Sequence, residues 1–209
     1  MLRLEKFVKK YGGRQVLDIP SHSFSHGLTY LRGKNGSGKS SLFRCIAGIS
    51  PFEGSIWLNH FHPVKTPVEY RKMVNHSPAE PVFPAFLSGK EILRFVAKAR
   101  GAPKHQLDEL VSCFHLSLYF EQPAQTYSSG MGKKIALAIA FLGNPALILL
   151  DEPFITLDPE SCASLRGLIS GLRTAGTSFL LTSHTDLLSE GIQPDESCEL
   201  FGGNLVTLA

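Results

Sequence analysis

The sequence offers no window approaching the roughly 18 uncharged apolar residues that a membrane-spanning helix needs, so no stretch reads as crossing a bilayer. Its start, Met1-Leu2-Arg3-Leu4-Glu5-Lys6, is not followed by the apolar run of a secretory signal. Cysteine is sparse: Cys45, Cys113, Cys162 and Cys198 are scattered, with no C-x-x-C pair. That argues against a disulfide frame or a zinc motif and for reduced thiols. Net charge is low, with 21 Lys and Arg against 18 Asp and Glu, and no basic run interleaves with aromatics. Nucleic acid is therefore not an expected partner. Internal repeats and low-complexity segments are absent as well. What remains is a balance of 43% apolar and 19% charged residues over 209 positions. Such a chain can bury one sizeable core, or two small lobes sharing a site, and reads as a soluble, cytosolic type.

Glycine is present where it has a use. Gly33-Lys34-Asn35-Gly36-Ser37-Gly38-Lys39-Ser40-Ser41 fits the pattern G-x-x-x-x-G-K-[ST]. Leu28-Thr29-Tyr30-Leu31 before it reads as a strand, and Ser41 to Ala47 after it as a helix closed by Gly48. Glycines let the backbone wrap a phosphate chain with several N–H groups pointing inward. Lys39 would place an ammonium on the β/γ-phosphates and Ser40 a hydroxyl on Mg²⁺, with the helix dipole favouring the anion.

Along the rest of the chain, residues 2–9 and 16–24 read as two strands around a Tyr11-Gly12-Gly13 turn, and 54–59 as a third. Residues 60–70 read as loop, with His60 and His62 as exposed histidines lacking a third metal ligand. A short strand is expected at 73–76. From 82 to 143 the pattern turns helical: a capping box at Ser88–Glu91, a helix over 104–115, and a third from Ser129. This predicts an inserted helical lobe (82–143) in a core made of 1–81 and 144–209. Ala146 to Leu150 is a continuous apolar run, as in a strand buried on both faces of a parallel sheet. Asp158 and Pro159 suit the N-cap and first position of a helix. Thr177 to Thr182 is a further buried strand, and a Gly-Gly-Asn turn joins two short strands in the tail.

Carboxylates at the C-terminal end of a parallel strand face the ligand crevice of an open α/β sheet. Asp151 is thus placed to hold Mg²⁺ and Glu152 to take a proton from an attacking water. His184 ends the next strand, where a neutral imidazole could bond a γ-phosphate and orient that water. Tyr11, just ahead of the phosphate loop, has a ring able to stack on a base, although turn aromatics are commoner.

The order of these motifs resembles the nucleotide-binding subunit of ABC transporters over essentially the whole chain. Tyr127-Ser128-Ser129-Gly130-Met131, ahead of the third helix, resembles the family's L-S-G-G-Q signature in an export-type form. Ser129 replaces its first glycine and Met131 its final Gln. Asp158 resembles the D-loop aspartate, His184 the switch histidine, Tyr11 the adenine-stacking aromatic, and Glu152 the catalytic carboxylate. The resemblance implies an α/β fold, a P-loop NTPase core of mixed sheet and helices with N-terminal antiparallel strands and a helical lobe. It implies an ATPase using ATP and Mg²⁺. Nucleotide would be held between Gly33–Ser41 of one subunit and Ser128, Ser129 and Gly130 of the other, in a head-to-tail homodimer or heterodimer. It further implies an integral membrane permease partner, an exporter, and a cytoplasmic location peripheral to the membrane. One departure matters. Where the family keeps a Mg²⁺-holding Gln this chain has Ala79; either the adjacent Glu80 replaces it as metal ligand after a one-residue shift, or this link is weakened. The apolar loop from Ala79 to Leu87 is the expected contact with the membrane partner, the alternative being that it packs the lobe onto the core. A soluble non-transport ABC ATPase and a weakly hydrolysing nucleotide-binding scaffold are the rival readings.

Overall fold

The computed structural model describes residues 1–183 and 187–208. Its first strand, β1 (Leu2–Tyr11), buries Leu2, Leu4, Phe7 and Lys9 while Arg3, Glu5 and Lys10 face water. A turn at Gly12 and Gly13, both with positive φ, sends the chain back as antiparallel β2 (Arg14–Ser23), and β4 (Glu53–Leu58) pairs on the other side. These form a three-stranded sheet of order β2-β1-β4.

The second sheet has six strands in the order β5-β6-β7-β3-β8-β9. β3 (Leu28–Arg32), β5 (Val74–Ser77), β6 (Leu147–Leu150), β7 (Ser178–Leu181) and β8 (Glu196–Phe201) run parallel, and β9 (Asn204–Leu208) is antiparallel to β8. All four β6 residues are buried because the two faces of the strand enter different cores. Leu147 and Leu149 pack in one cluster with Phe7 of the antiparallel sheet, Leu31 of β3 and Phe43 of helix α1 (Lys39–Ile46). Ile148 and Leu150 pack on the opposite side with α5 (Ser129–Ala140) and α6 (Pro159–Thr174). Period-two alternation along one strand thus joins the two layers.

Helices α3 (Gly89–Arg100) and α4 (Lys104–Cys113) contribute Leu93, Ala97 and Leu110 to the same cluster as α5 and the sheet. The capping box at α3 is complete: Glu91 N–H donates to Ser88 Oγ, and the Glu91 carboxylate accepts from Ser88 N–H. Gly101 ends that helix in the left-handed region. Asp158 caps α6 with Pro159 at its first turn.

Two expectations fail. Residues 60–70 are not all loop, since α2 (Pro67–Met73) begins at Pro67, with Glu69 in its first turn and Arg71 and Lys72 in its last. That charge order suits a helix dipole, and Tyr70 anchors the helix by donating to Ile46 O at 2.7 Å. The density of prolines masked a helix that Pro67 starts rather than breaks. His62 is buried rather than exposed. Its ring meets Trp57 edge-on at 4.8 Å, and its Nδ1 accepts the N–H groups of Val64 (3.1 Å) and Lys65 (3.3 Å). Burial, and then the Lys65 charge, lower its pKa.

Candidate functional site

The chain leaves β3 and turns at Gly33, where a Cβ would lie 2.7 Å from Ser37 Oγ and 2.8 Å from Leu200 O. At Gly38, which caps α1 with φ of 106°, a Cβ would meet Leu17 Cδ2 at 2.7 Å. Only glycine fits both the space and the dihedral there. Gly38 supplies no side-chain cap, so the first-turn N–H groups of α1 keep their capacity for an anion. Lys39 lies folded over the loop, donating from Nζ to Gly33 O (2.6 Å) and Lys34 O (3.2 Å).

These groups border a cavity of about 420 Å³. Its walls bring together Tyr11, Asn35, Gly36, Ser37, Gly38, Lys39, Ser40 and Ser41 with Asp151 and Glu152. Gly33 and Lys34 act one step back, through the carbonyls that hold Lys39. The Tyr11 ring is exposed, with Lys9 Nζ 4.4 Å from its centroid, and its hydroxyl donates to Ser41 Oγ at 3.3 Å.

Parallel pairing of β6 with β7 sets Leu150 beside Leu181, so the next residues, Asp151 and Thr182, are also neighbours. The buried Thr182 hydroxyl donates to Asp151 Oδ1 at 2.7 Å and accepts Glu152 N–H at 3.0 Å. One hydroxyl therefore orients both acidic residues. Glu152 has φ of 48°, a left-handed conformation that a non-glycine residue holds at a cost of order 1–3 kcal/mol. Ser40 and Asp151 form an all-oxygen donor set on one cavity, which suits a hard cation such as Mg²⁺.

Behind the carboxylates lies Lys133 of α5, fully buried. Its Nζ donates to Asp151 O (2.8 Å), Pro78 O (2.9 Å) and Ala79 O (3.3 Å). Desolvation pulls its pKa down to about 8, against the opposing pull of Asp151 and Glu152. Ser128 caps α5, its Oγ accepting Met131 N–H at 3.2 Å, and a Cβ on Gly130 would sit 2.7 Å from Thr156 O. This helix start opens on a different cavity, of about 460 Å³, lined by Ser128, Ser129, Tyr127 and the loop from Ala79 to Phe83.

The sequence profile of the ABC transporter family, described as "ABC transporter", matches residues 18–155, more than half of the chain. The chain belongs to the ABC transporter family. Rat "ATP-binding cassette sub-family A member 7" is 34% identical over 160 residues, covering 74% of this chain and 7% of the rat protein. "ABC-type transporter ATP-binding protein EcsA" of Bacillus subtilis is 33% identical over 159 residues, covering 74% of this chain and 64% of that protein. This chain thus spans a small part of the first and less than two thirds of the second. The solved "Structure of ATP binding subunit of ABC transporter" superposes with a TM-score of 0.87 at 28% identity, covering 99% of this chain and 90% of the other. The chain is accordingly an ABC ATP-binding domain with the mixed α/β fold of that family.

Glu80 and Asp158 also stand apart from the P-loop cavity. Ala79, not Glu80, forms its wall; Glu80 is exposed and lines only the second cavity. Glu80, expected as the replacement for the family's Gln, is therefore not among the side chains that border Ser40 and Asp151 on that cavity. Asp158 lines neither cavity. Its carboxylate accepts Ser161 N–H (2.8 Å) and pairs with Lys134 Nζ (2.5 Å), and these contacts hold its pKa well below the usual carboxylate range. His184 lies outside the described residues. Lys133 and Thr182 were missed from sequence, because their roles depend on neighbours 18 and 31 positions away. Among the described residues, no helix is long and apolar enough to cross a membrane.

Proposed function

We propose that this domain hydrolyses Mg-ATP as the motor subunit of an ABC exporter, acting through separate membrane subunits. The observation that carries the reading is the convergence of Lys39, Ser40, Asp151 and Glu152 on one cavity, with Thr182 bonded to the Asp151 carboxylate and to the Glu152 main-chain N–H. Lys39 and the first-turn amides of α1 bind the phosphates, and the exposed Tyr11 ring supports the base. Ser40 and Asp151 hold Mg²⁺, which when bound neutralises phosphate charge. Glu152 accepts the proton of the attacking water on its carboxylate.

The second cavity supports the head-to-tail reading. Ser128, Ser129 and the start of α5 form an anion-receptive half-site on a cavity that Lys39 does not line, so completing each site takes a second subunit. The lobe of residues 82–143 carries this half-site, and the core of 1–81 and 144–209 carries the P-loop. Val82 and Phe86 are 91% and 79% exposed, which supports the Ala79–Leu87 loop as the face that meets a membrane subunit at the cytoplasmic surface. The name of a relative, "Lantibiotic transport ATP-binding protein SrtF" (27% identical, 91% of this chain, 82% of that protein), favours transport over a soluble role.

The test is ATP turnover and sedimentation of the wild type and Glu152→Gln. Loss of a general base should lower turnover by about 10²-fold or more while nucleotide binding persists. The Gln variant should then dimerise at millimolar ATP, and Ser128→Arg in the same background should keep it monomeric. Wild-type turnover in Glu152→Gln would overturn the assignment.

A further inference from the structure

One side chain from β2 and two from β8, distant in sequence, meet where the two sheets join. Glu196 and Cys198 are two positions apart on β8, so they share a face of that strand. His22 reaches them from β2, which belongs to the other sheet. One ligand atom from each lies within 4.8 Å of the other two. The His22 Nε2 to Cys198 Sγ distance is 3.6 Å. Bonds of about 2.0–2.1 Å from nitrogen and about 2.3 Å from sulfur, at a tetrahedral angle, put those two atoms about 3.5 Å apart. The pair already stands at the spacing a shared metal would impose.

The surroundings suit such an ion. Cys198 is fully buried while His22 and Glu196 are half-buried, so the cluster has an inner thiol and a side open to solvent. Glu196 is oriented by Ser25 N–H (2.9 Å) and Thr29 Oγ1 (3.3 Å), both donating to Oε2. His22 is oriented by an edge-on contact with Phe24 at 4.5 Å. None of the three lines the P-loop cavity.

We propose that His22, Glu196 and Cys198 form a binding site for one borderline-soft divalent cation of the Zn²⁺ class. Nitrogen, thiolate sulfur and carboxylate oxygen together favour such an ion over Mg²⁺ or Ca²⁺, which take oxygen alone. The fourth position falls to water from the open side. On binding, the Cys198 S–H bond breaks, the sulfur lone pair goes to the cation and the proton leaves to solvent, with no change of oxidation state. The bound ion clips β2 to β8 and so ties the antiparallel sheet to the parallel one. This inference is independent of the ATP site.

The experiment uses the full chain, reduced and stripped of metal by a chelator, with Co²⁺ as the spectroscopic probe. One equivalent should bind with sulfur-to-cobalt charge-transfer absorption and the intense visible bands of four-coordinate Co²⁺, and Zn²⁺ should displace it. Cys198→Ser should abolish the charge-transfer band, and His22→Gln and Glu196→Gln should each weaken binding at least tenfold. Because burial makes Cys198→Ser a risk to folding, the half-exposed His22→Gln is the second arm, with its unfolding midpoint measured without metal. Zn²⁺ should raise the wild-type midpoint and leave that of His22→Gln unmoved, while ATP turnover of His22→Gln stays at the wild-type level. The proposal is overturned by a wild type without the charge-transfer band. It is equally overturned by a band that survives in Cys198→Ser, or by equal Co²⁺ affinity in His22→Gln.

Discussion

The ammonium of Lys133 donates to the main-chain carbonyl of Asp151 across 2.8 Å, tying α5 to the strand end that carries the acidic pair. The same nitrogen reaches Pro78 O and Ala79 O, so its three protons join α5, β6 and the loop after β5 at one point. A buried charge is tolerated here because three carbonyl dipoles replace its water.

Lys133→Met keeps the length of the side chain and removes the donors. Three carbonyls lose their partner, which should cost about 1–3 kcal/mol or more in a urea unfolding series. ATP turnover should fall more than ATP affinity, since Lys39 and the P-loop amides are untouched. Equal losses in both would mean that Lys133 serves folding alone.

Thr182→Val removes the hydroxyl shared by Asp151 and Glu152 at nearly constant shape. Glu152 N–H is then left without that acceptor, and stability should drop by about 1–3 kcal/mol. Turnover should fall well below wild type, and Thr182→Ser should restore most of it. A Ser variant as impaired as Val would show that packing, not the hydrogen bonds, is what Thr182 supplies.

Tyr11 divides into ring and hydroxyl. Tyr11→Ala should weaken nucleotide binding by roughly 1–2 kcal/mol, the scale of base–aromatic stacking. Tyr11→Phe loses only the bond to Ser41 Oγ and should bind nearly as wild type. GTP should compete with ATP within about an order of magnitude, because a ring face reads no base edge. Unchanged affinity in the Ala variant would make Tyr11 a turn residue only.

His76 on β5 carries the acid dependence. Burial lowers its pKa from 6.5 to about 4; Asp151 pulls it up, and Arg44 and Lys133 push it down further. Between those pH values the unfolded chain holds a proton that the folded one lacks, so stability rises with pH. The folded state has its full advantage above pH 6.5 and loses up to about 3 kcal/mol as pH falls toward 4. His62 and His22 are also lowered and add to the slope, so the test is a difference. The stability of wild type minus His76→Gln should decline from pH 6.5 to 4; parallel curves would remove His76 from the account.

Short-range chain chemistry determined much of this protein before any fold was known. The glycines of residues 33–38, the capping box at Ser88–Glu91, the Asp158-Pro159 helix start and the apolar run into Asp151-Glu152 are legible because each depends on spacing, dihedral freedom or hydrogen bonds within a few residues. The reading of Tyr127–Met131 as a signature came only from resemblance, since nothing in its own chemistry names a nucleotide. Tertiary structure alone decided the rest. Lys133 looks like a solvated helix charge until α5 is laid against the loop after β5, and Thr182 looks like a strand end until β7 sets it beside Asp151. Which of Ala79 and Glu80 faces the phosphate loop, and whether His62 is wet or buried, depended on packing partners distant in the chain. His22 lies more than 170 positions from Cys198, and only the meeting of two sheets brings imidazole and thiol to 3.6 Å. Spacing along a chain encodes geometry over a turn or two; beyond that, the order in which strands pair decides which side chains meet.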